Sequence, residues 1–397
     1  MQSSPQPQVK PRKTGKWWND PKIRGIFYQV LAALAVAGFL WYITNNALTN
    51  MEKRGITTGF DFLSQPAGFG ILQSLIDYTE ADTYGRTFLV GLLNTVLVSV
   101  VGIFFATILG FIMGIARLSH NWLISKIATA YVEIFRNVPL LLQIFFWYFA
   151  VLQALPGARN SIEIGGSAFL SVRGLYIPRP VTEDGFGWVI AAFIAAIVLV
   201  IAYVKWDHKR QQETGQILPV FWPSVAMLIG LPLIVYWLAG SPMHWDYPEL
   251  KRFNFAGGIR IIPEFMALLV ALVIYTGTYI AETVRSGIEA ISHGQTEAAL
   301  ALGLNNSQRL RLIIVPQAMR VIIPPLTNQY LNLTKNSSLA TAIGYPDLVS
   351  VFAGTTLNQT GQAVEIILMT MAVYLTLSLT TSAFMNWYNK RIALVER

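Results

Sequence analysis

The sequence of 397 residues contains no cysteine, only four histidines, and few charged residues, which make up 13% of the chain. The absence of cysteine excludes disulfide bonds and thiolate metal ligands, and the histidines show no metal-ligand spacing. No G-x-x-x-x-G-K-S/T motif is present, so the chain lacks a phosphate-binding loop of its own. Its apolar segments contain no H-x-x-x-H pattern and no carboxylates paired at helical spacing. A metal-dependent or thiol-dependent membrane enzyme is therefore not predicted.

Apolar residues make up 54% of the chain, which is more than a soluble core can enclose. A bilayer-spanning helix needs about 20 mostly apolar residues, because each backbone amide must find its hydrogen bond within the segment. Pro324, Pro325 and Lys335 interrupt one candidate, and the other candidates carry no Lys, Arg, Asp or Glu. We predict eight spans, at residues 26–51, 87–116, 137–158, 185–204, 214–245, 265–281, 321–353 and 366–389.

The distribution of cations predicts the orientation of these spans. With eight spans both termini share one side, and the loops on that side carry most of the Lys and Arg residues. Both termini are therefore expected in the cytoplasm. The net charge of +8 is dispersed among these loops, so no nucleic-acid partner is predicted. Residues 1–24 read as a disordered cytoplasmic tail, and the first span is too long for a cleaved signal and is expected to remain as an anchor.

A glycine-centred passage follows the 265–281 span and spans residues 292–316, called the elbow loop below. The run from Ala298 to Leu302 favours a helix, and Gly303 allows that helix to end in a left-handed turn. Asn306 or Ser307 is expected to cap a second helix. Two short helices that meet at a glycine form a compact projection, which suits insertion into a groove on another protein.

The elbow loop resembles the EAA loop of type I ABC import permeases. The match consists of Glu297-Ala298-Ala299, then Gly303 after three intervening residues, and then Ile313, Val315 and Pro316. In that family the loop contains the coupling helix that docks on an ATPase subunit, and the resemblance puts this helix at roughly residues 297–306. It implies the following ATPase-coupling residues: Glu297, Ala298, Ala299, Gly303 and Leu304.

Four further motifs resemble the polar amino-acid branch of these permeases: Gly91-Leu-Leu-Asn94-Thr95, Glu133-Ile-Phe-Arg136-Asn137-Val138-Pro139, Ala281-Glu282-Thr-Val-Arg285-Ser-Gly287 and Asn336-Ser337-Ser338-Leu339. The resemblance implies an all-α, polytopic membrane protein with a type I importer core at residues 87–391. A first helix and loop at 25–86 and an extra helix pair at about 188–239 enlarge that core. This plan resembles the general L-amino acid permease subunits of Gram-negative bacteria and cyanobacteria.

The same resemblance implies the partners and the location. The expected complex lies in the bacterial inner membrane and contains a homodimeric ATPase, a second and related permease subunit, and a periplasmic amino acid-binding protein. ATP and Mg²⁺ would bind to the ATPase, so this chain is expected to be a transport subunit without a cofactor of its own. The implied substrates are polar or general L-amino acids.

Polar residues inside a span usually face a cavity or the interior of a bundle, because they are costly in lipid. Such residues cluster at 328–338, directly after the two prolines, where we expect a broken helix. The hypothesis is that some of them bind the carboxylate and ammonium of an amino acid. The family resemblance implies that permeases for cationic amino acids carry carboxylates at the positions of Gln329 and Asn336, so the amides here argue against strict selection of Arg or Lys. The predicted substrate-binding residues are Gln329, Lys335, Asn336, Ser337, Ser338 and Glu282.

Other interpretations of these residues stay open at this point. The polar cluster could instead join helices through hydrogen bonds. Glu282 and Arg285 are three residues apart and could pair on one helix face, and Arg136 could join them or extend to the membrane surface. An ion-coupled secondary transporter or channel is the main alternative function, and a methionine-importer permease is a nearer one. A secondary transporter or channel would not need the elbow loop. The Arg136-Asn137-Val138-Pro139 segment and the enlarged loops fit a methionine-importer permease less well.

Overall fold

The computed structural model describes residues 21–53, 58–216 and 218–392. The chain is mainly helical, with short π and 3-10 segments that extend several of the helices. The α-helices are α1 (Pro21–Lys53), α2 (Tyr84–Arg117), α3 (Trp122–Asn137), α4 (Leu140–Phe145), α5 (Phe186–Thr214), α6 (Phe221–Leu238), α7 (Pro263–Glu289), α8 (His293–Ala301), α9 (Asn306–Arg309), α10 (Val315–Asn336), α11 (Leu357–Thr360) and α12 (Ala363–Ile392).

Seven helices of the described chain are long and apolar enough to cross a membrane, and a bent helix pair raises the number to eight. Every predicted span overlaps one of them, which confirms a polytopic helical membrane protein. The bounds of the predicted span at 137–158 are wrong, because the membrane segment there is the bent pair Trp122–Asn137 and Leu140–Leu152, with an angle of 105°. Pro139 lies at the bend, where its ring disfavours continuation of the preceding helix.

Two boundaries from the sequence need correction. Helix α1 begins at Pro21, so the last four residues of the expected 1–24 tail form its first turn. Proline suits that position because its fixed φ and missing N–H fit the start of a helix. Residues 1–20 lie outside the described part. The predicted span at 214–245 is also too long, because α6 ends at Leu238 and residues 243–246 form a strand beyond Gly240 and Pro242.

Small residues bring α2 and α7 into close contact at the centre of the bundle. Gly102, Ala106, Gly110 and Gly114 recur every four residues on α2, and all four are buried. A methyl group at Gly114 would lie 2.7 Å from the carbonyl oxygen of Ala281 on α7. Membrane helices gain stability from such close backbone approach, because lipid supplies no hydrophobic drive for association. This stripe therefore positions α7 and the elbow loop that follows it.

Helix α10 continues through Pro324 and Pro325, which corrects the expectation of a helix broken at the prolines. The two prolines remove backbone donors, but the neighbouring side chains Ile322, Ile323 and Leu326 are buried in the bundle. Packing of this kind holds a proline-containing membrane helix together. The backbone changes course later, where a 3-10 segment at Ser337–Ile343 follows α10 and Gly344 adopts a left-handed conformation with φ +75°.

Eight short strands form a small domain outside the helices, called the β-unit below. A four-stranded antiparallel sheet has the order β1-β2-β3-β8, and two further two-stranded sheets pair β4 with β5 and β6 with β7. The helical hairpin of α5 and α6 is inserted between β4 and β5, and its contacts are mainly internal. The strands are β1 (Ile162–Ile164), β2 (Ala168–Ser171), β3 (Gly174–Ile177), β4 (Arg179–Thr182), β5 (Met243–Asp246), β6 (Glu249–Lys251), β7 (Asn254–Ala256) and β8 (Ile259–Ile261).

The β-unit and the elbow loop lie at opposite ends of α7. Strand β8 ends at Ile261, two residues before α7 begins, and α8 of the elbow loop begins four residues after α7 ends at Glu289. The 27 residues of α7 therefore separate the two features by about 40 Å along the helix axis. This distance exceeds the thickness of a bilayer core, so the two features lie on opposite sides of a membrane.

Candidate functional site

The elbow loop contains two short helices joined by a left-handed glycine. Helix α8 ends at Ala301, and Gly303 adopts φ +74°. The N–H of Gly303 donates to the carbonyl of Leu300 at 2.9 Å, and the N–H of Leu304 donates to the carbonyl of Ala299 at 3.1 Å. This pair of bonds is the Schellman arrangement, which satisfies the last carbonyls of a helix. The left-handed turn expected from Gly303 is confirmed.

The second helix of the loop begins one residue earlier than expected. Asn305 caps α9, rather than Asn306 or Ser307, and Gln308 completes a reciprocal capping box with it. The N–H of Gln308 donates to Asn305 Oδ1 at 2.9 Å, and the N–H of Asn305 donates to Gln308 Oε1 at 3.0 Å. Residues 297–306 therefore contain the end of α8, the turn and the start of α9, rather than one continuous helix.

The loop presents apolar side chains to solvent on one side and anchors itself on the other. Ala299 is fully buried, and Leu304 is half-buried. Leu300 and Leu302 are 55% and 78% exposed, and Glu297 is exposed beside them. An exposed leucine pair on a compact projection is typical of a protein contact surface.

A polar stripe runs along one face of α10. Asn328, Asn332 and Lys335 follow one another at helical spacing, and all three are exposed on this chain. The opposite face is buried in the bundle through Leu326, Leu333 and Thr334. Polar and charged side chains at this depth do not face lipid, because the cost in hydrocarbon is several kcal/mol for a charge. The stripe therefore marks a surface that meets water, a solute or a second membrane protein.

An open groove of about 480 Å³ begins at Lys335 and follows α12. Lys335 and Ser338 lie on one wall, and Thr370, Tyr374 and Ser378 lie on the other. Groove volumes of this size hold small molecules such as amino acids. The groove combines one cation with several hydroxyl groups. The hydroxyls of Ser338, Thr370 and Tyr374 already donate within the chain, so the ammonium of Lys335 is the donor available to a carboxylate.

A network of ion pairs joins α2 and α7 near the elbow loop. Glu282 on α7 pairs with Arg117 at the end of α2 and with Arg285 at 2.6 Å. Arg285 also pairs with Glu289 one turn further along α7. Arg136 does not join this network, and its guanidinium lies 5.1 Å from the ring centroid of Tyr279 instead.

A family model matches residues 212–394, and its description is the inner membrane component of binding-protein-dependent transport systems. The amino-acid ABC transporter permease protein YhdX of Escherichia coli strain K12 is 58% identical over 379 residues, which cover 95% of this chain and 96% of that protein. The chain belongs to this family of ABC transporter permeases. Two further permeases are similar over 95% of the chain.

The first of these relatives is the general L-amino acid transport permease AapQ of Rhizobium johnstonii, which is 53% identical and is covered over 94% of its length. The second is the glutamate/glutamine/aspartate/asparagine transport permease BztB of Rhodobacter capsulatus, which is 43% identical and is covered over 96% of its length. The match to each of these relatives thus extends over nearly the whole permease.

The structure gathers some of the predicted substrate residues and separates others. Lys335 and Ser338 line the same groove, with Gln329 and Asn336 half-buried on the same segment. Ser337 is fully buried, and its hydroxyl donates to the carbonyl of Thr334 at 2.7 Å, so it faces away from the groove. The hydroxyl of Ser338 donates to the carbonyl of Lys335 at 2.8 Å and retains its acceptor capacity.

Glu282 lies at a different depth of the permease from Lys335. A methyl group at Gly287, which follows Glu282 on α7, would contact Ile322 of α10 at 2.3 Å. Lys335 comes 13 residues after Ile322 on the helix, a rise of about 20 Å towards the β-unit side. Glu282 is therefore grouped with Arg117 and Arg285, and the predicted substrate residues form two separate sites.

Sequence reasoning did not identify the α12 wall of the groove. Thr370, Tyr374 and Ser378 recur every four residues on α12, and this spacing on one helix face is the sequence signal that could have identified them. Asp347 was also missed; it is fully buried and accepts the N–H of Ser350 at 2.9 Å, which caps the π-helical segment Val349–Thr356. Its carboxylate supports the segment that closes one end of the groove.

Proposed function

We propose that the permease imports L-amino acids across the bacterial inner membrane, driven by ATP hydrolysis on a separate ATPase that docks on the elbow loop. The observation that carries this proposal is the elbow loop itself, a rigid projection with a Schellman turn at Gly303 and exposed Leu300 and Leu302. The absence of a phosphate-binding loop in the sequence supports a partner as the source of energy. ATP and Mg²⁺ would bind to that partner.

The residues proposed to couple the permease to the ATPase are those that match the EAA loop. Glu297 and Ala298 would face the ATPase, because both are exposed, and Ala299 would anchor α8 against the membrane domain, because it is buried. Gly303 and Leu304 would set the angle between the two helices. Closure of the ATPase would then move the projection as a rigid body and shift α7 and α10 relative to each other.

The proposed orientation of the permease in the membrane follows from the same loop. If the ATPase lies in the cytoplasm, the elbow loop is cytoplasmic and the β-unit faces the periplasm. The cation distribution of the sequence supports this arrangement, because the sides assigned to the cytoplasm carry most of the Lys and Arg residues. A periplasmic amino acid-binding protein would deliver the substrate to the β-unit side.

A second permease subunit completes the proposed pathway. The stripe of Asn328, Asn332 and Lys335 is exposed on this chain, and an equivalent surface on a related subunit would enclose it. Substrate would pass along this stripe, with the ammonium of Lys335 available to a carboxylate. The names of the relatives AapQ and BztB support amino acids as the substrate class.

ATP hydrolysis by the purified complex in lipid discs tests this function. The assay compares the basal rate with the rate after addition of a binding protein and, in turn, glutamine, glutamate, histidine, leucine or arginine. We expect stimulation in the wild type and its loss in Gly303→Asp, because aspartate adds a negative charge at the elbow, where open space surrounds the side chain and the ATPase would dock. Gly294→Asp is the matched control, since Gly294 lies in the first turn of α8, where an acid is favourable. Transport without a copurifying ATPase would contradict the proposal.

A further inference from the structure

Five cations gather at one end of the β-unit, together with one exposed aromatic ring, and are called the basic surface below. All five cations are exposed, and none of them forms an ion pair within the described part of the chain. The exposed ring is Phe253. The cations are Arg159, Arg173, Lys251, Arg252 and Arg260.

The fold brings these cations towards one another. Arg159 donates from Nε to the carbonyl of Arg252 at 3.3 Å, and Arg260 donates from Nε to the carbonyl of Arg173 at 3.0 Å. Each contact fixes one cation against the backbone of another and brings no counter-ion. Because like charges repel, these contacts leave the positive charge of the basic surface uncompensated.

The tip of the basic surface is held rigidly. Arg252 adopts φ +50°, and the N–H of Phe253 donates to the carbonyl of Lys251 at 2.6 Å, which are features of a rare and strained three-residue turn. Phe253 is 67% exposed, and the guanidinium of Arg159 lies 5.0 Å from its ring centroid. Aromatic and arginine side chains of this kind dominate the energetics of protein interfaces.

The support beneath the tip is a small aromatic core. Phe255 of β7 is buried and stacks on Phe169 with centroids 4.7 Å apart, and it contacts Tyr176 at 4.8 Å. The hydroxyl of Tyr176 bonds to Asn254 Oδ1 at 2.9 Å, next to the turn. The β6–β7 hairpin is thereby fixed to the sheet, so the exposed cations keep their positions before a partner arrives.

The other basic side chains described in the β-unit each have an acidic partner. Arg179 pairs with Asp246 at 3.1 Å, and His244 contacts Glu183 at 2.7 Å. Glu249 lies two residues before Lys251 on β6 and forms no ion pair with it in the described chain. The unpaired cations are thus a local property of the basic surface.

We propose that the basic surface receives an acidic face of the soluble solute-binding protein and increases the rate of its docking. This inference rests on the proposed function, which puts the β-unit on the periplasmic side. Anionic lipid is the weaker candidate, because the negative surface potential of a membrane belongs mainly to the cytoplasmic leaflet. A folded acidic protein offers both the carboxylates for the cations and a pocket for Phe253.

Association kinetics between the whole transporter complex in lipid discs and its binding protein test this inference. The probe is the binding protein that stimulates ATP hydrolysis in the preceding assay. The triple variant carries Arg159→Gln, Lys251→Gln and Arg252→Gln. We expect its association rate constant to be at least 10-fold lower than that of the wild type at low salt and to lose most of its salt dependence. The reason is that exposed interface charges act mainly on association. Arg179→Gln is the matched control, since it removes the same charge from the same unit at a paired position.

A wild-type association rate in the triple variant would overturn the inference while leaving the proposed function intact. Failure of every binding protein to stimulate wild-type ATP hydrolysis would instead overturn the proposed function. The triple variant could lose affinity for the binding protein in discs that contain anionic lipid but not in phosphatidylcholine discs. That result would assign the basic surface to lipid and would also overturn the inference. If the triple variant does not assemble, Lys251→Gln and Phe253→Ala singly provide the same comparison.

Discussion

Arg117, the last residue of α2, and Glu282 of α7 form an ion pair that joins the two helices beside the elbow loop. Their side chains are 13% and 28% exposed, so water screens the pair only in part. Glu282 shares its second oxygen with Arg285, which extends the network along α7. The pair therefore fixes the end of the helix from which the elbow loop departs.

A double-mutant cycle on Arg117→Gln and Glu282→Gln measures this connection. We expect a coupling free energy of about 1–3 kcal/mol in the unfolding of the detergent-solubilised protein, because each single variant leaves a partly buried charge without its partner. Lys209 and Glu213 provide the control cycle, since they are 77% and 63% exposed at 3.9 Å, and we expect about 0.5 kcal/mol or less. Equal coupling in the two cycles would contradict the partly buried network.

The close contact of α2 and α7 predicts strong sensitivity at Gly114. A methyl group there would lie 2.7 Å from the backbone oxygen of Ala281, so Gly114→Ala must push the helices apart. We expect a loss of about 1–3 kcal/mol in the free energy of unfolding. Gly38→Ala on α1 is the matched control, because nothing described lies within 4 Å of its added methyl and alanine favours helix. A stable Gly114→Ala protein would show that the contact is looser than described.

The membrane helices were predictable from sequence because their apolar runs are long and free of charge. The 105° angle of the bend at Pro139 was not predictable, since a charge-free run does not indicate how the helices on either side of the proline are oriented. The helix through Pro324 and Pro325 was not predictable either, because burial of Ile322, Ile323 and Leu326 outweighs the two missing donors. Local propensity fails at both places because packing in the bundle decides the outcome.

The left-handed backbone at Gly303 predicts a graded effect of substitution. Open space surrounds a side chain at this position, so any penalty comes from φ +74° alone. We expect Gly303→Ala to destabilise the turn by about 1–2 kcal/mol and Gly303→Asn to cost less, because asparagine tolerates this conformation. Amide hydrogen exchange at residues 303 and 304 measures the effect.

Gly294→Ala serves as the control for this series. Gly294 is not in a left-handed conformation, so alanine there should leave exchange at 303 and 304 unchanged and favour α8. Equal exchange in Gly303→Ala and Gly303→Asn would indicate that the turn does not constrain the loop.

The groove and the ion-pair network were less predictable from the sequence than the elbow loop. The elbow motif is local in sequence, so its glycine turn could be read directly, although the capping residue was misplaced by one position. The groove instead combines Lys335 with Tyr374 and Ser378 of a different helix, and only the packing of α12 brings them together. The pairing of Glu282 with Arg117 likewise joins residues 165 positions apart. Such pairings depend on tertiary structure and not on any local pattern.

Lys335 in the groove predicts a selective effect on substrates with acidic side chains. We expect Lys335→Gln to raise the KM for glutamate uptake by about 10-fold or more, because a hydrogen bond to a charged group contributes about 1.5–3 kcal/mol. The KM for leucine should rise less, since leucine offers one carboxylate instead of two. Lys390→Gln is the control, because Lys390 lies in the last turn of α12 away from the groove. Equal changes for glutamate and leucine would argue against contact with the side-chain carboxylate.

Uptake of radiolabelled amino acids into proteoliposomes that contain the whole complex tests ATP-driven import most directly. ATP is enclosed on the side of the elbow loop, the binding protein is added on the side of the β-unit, and an ionophore removes all ion gradients. We predict accumulation against a concentration gradient that requires ATP, persists with the ionophore and is lost in Gly303→Asp. Accumulation that needs an ion gradient and proceeds without ATP would contradict the proposal and identify an ion-coupled transporter.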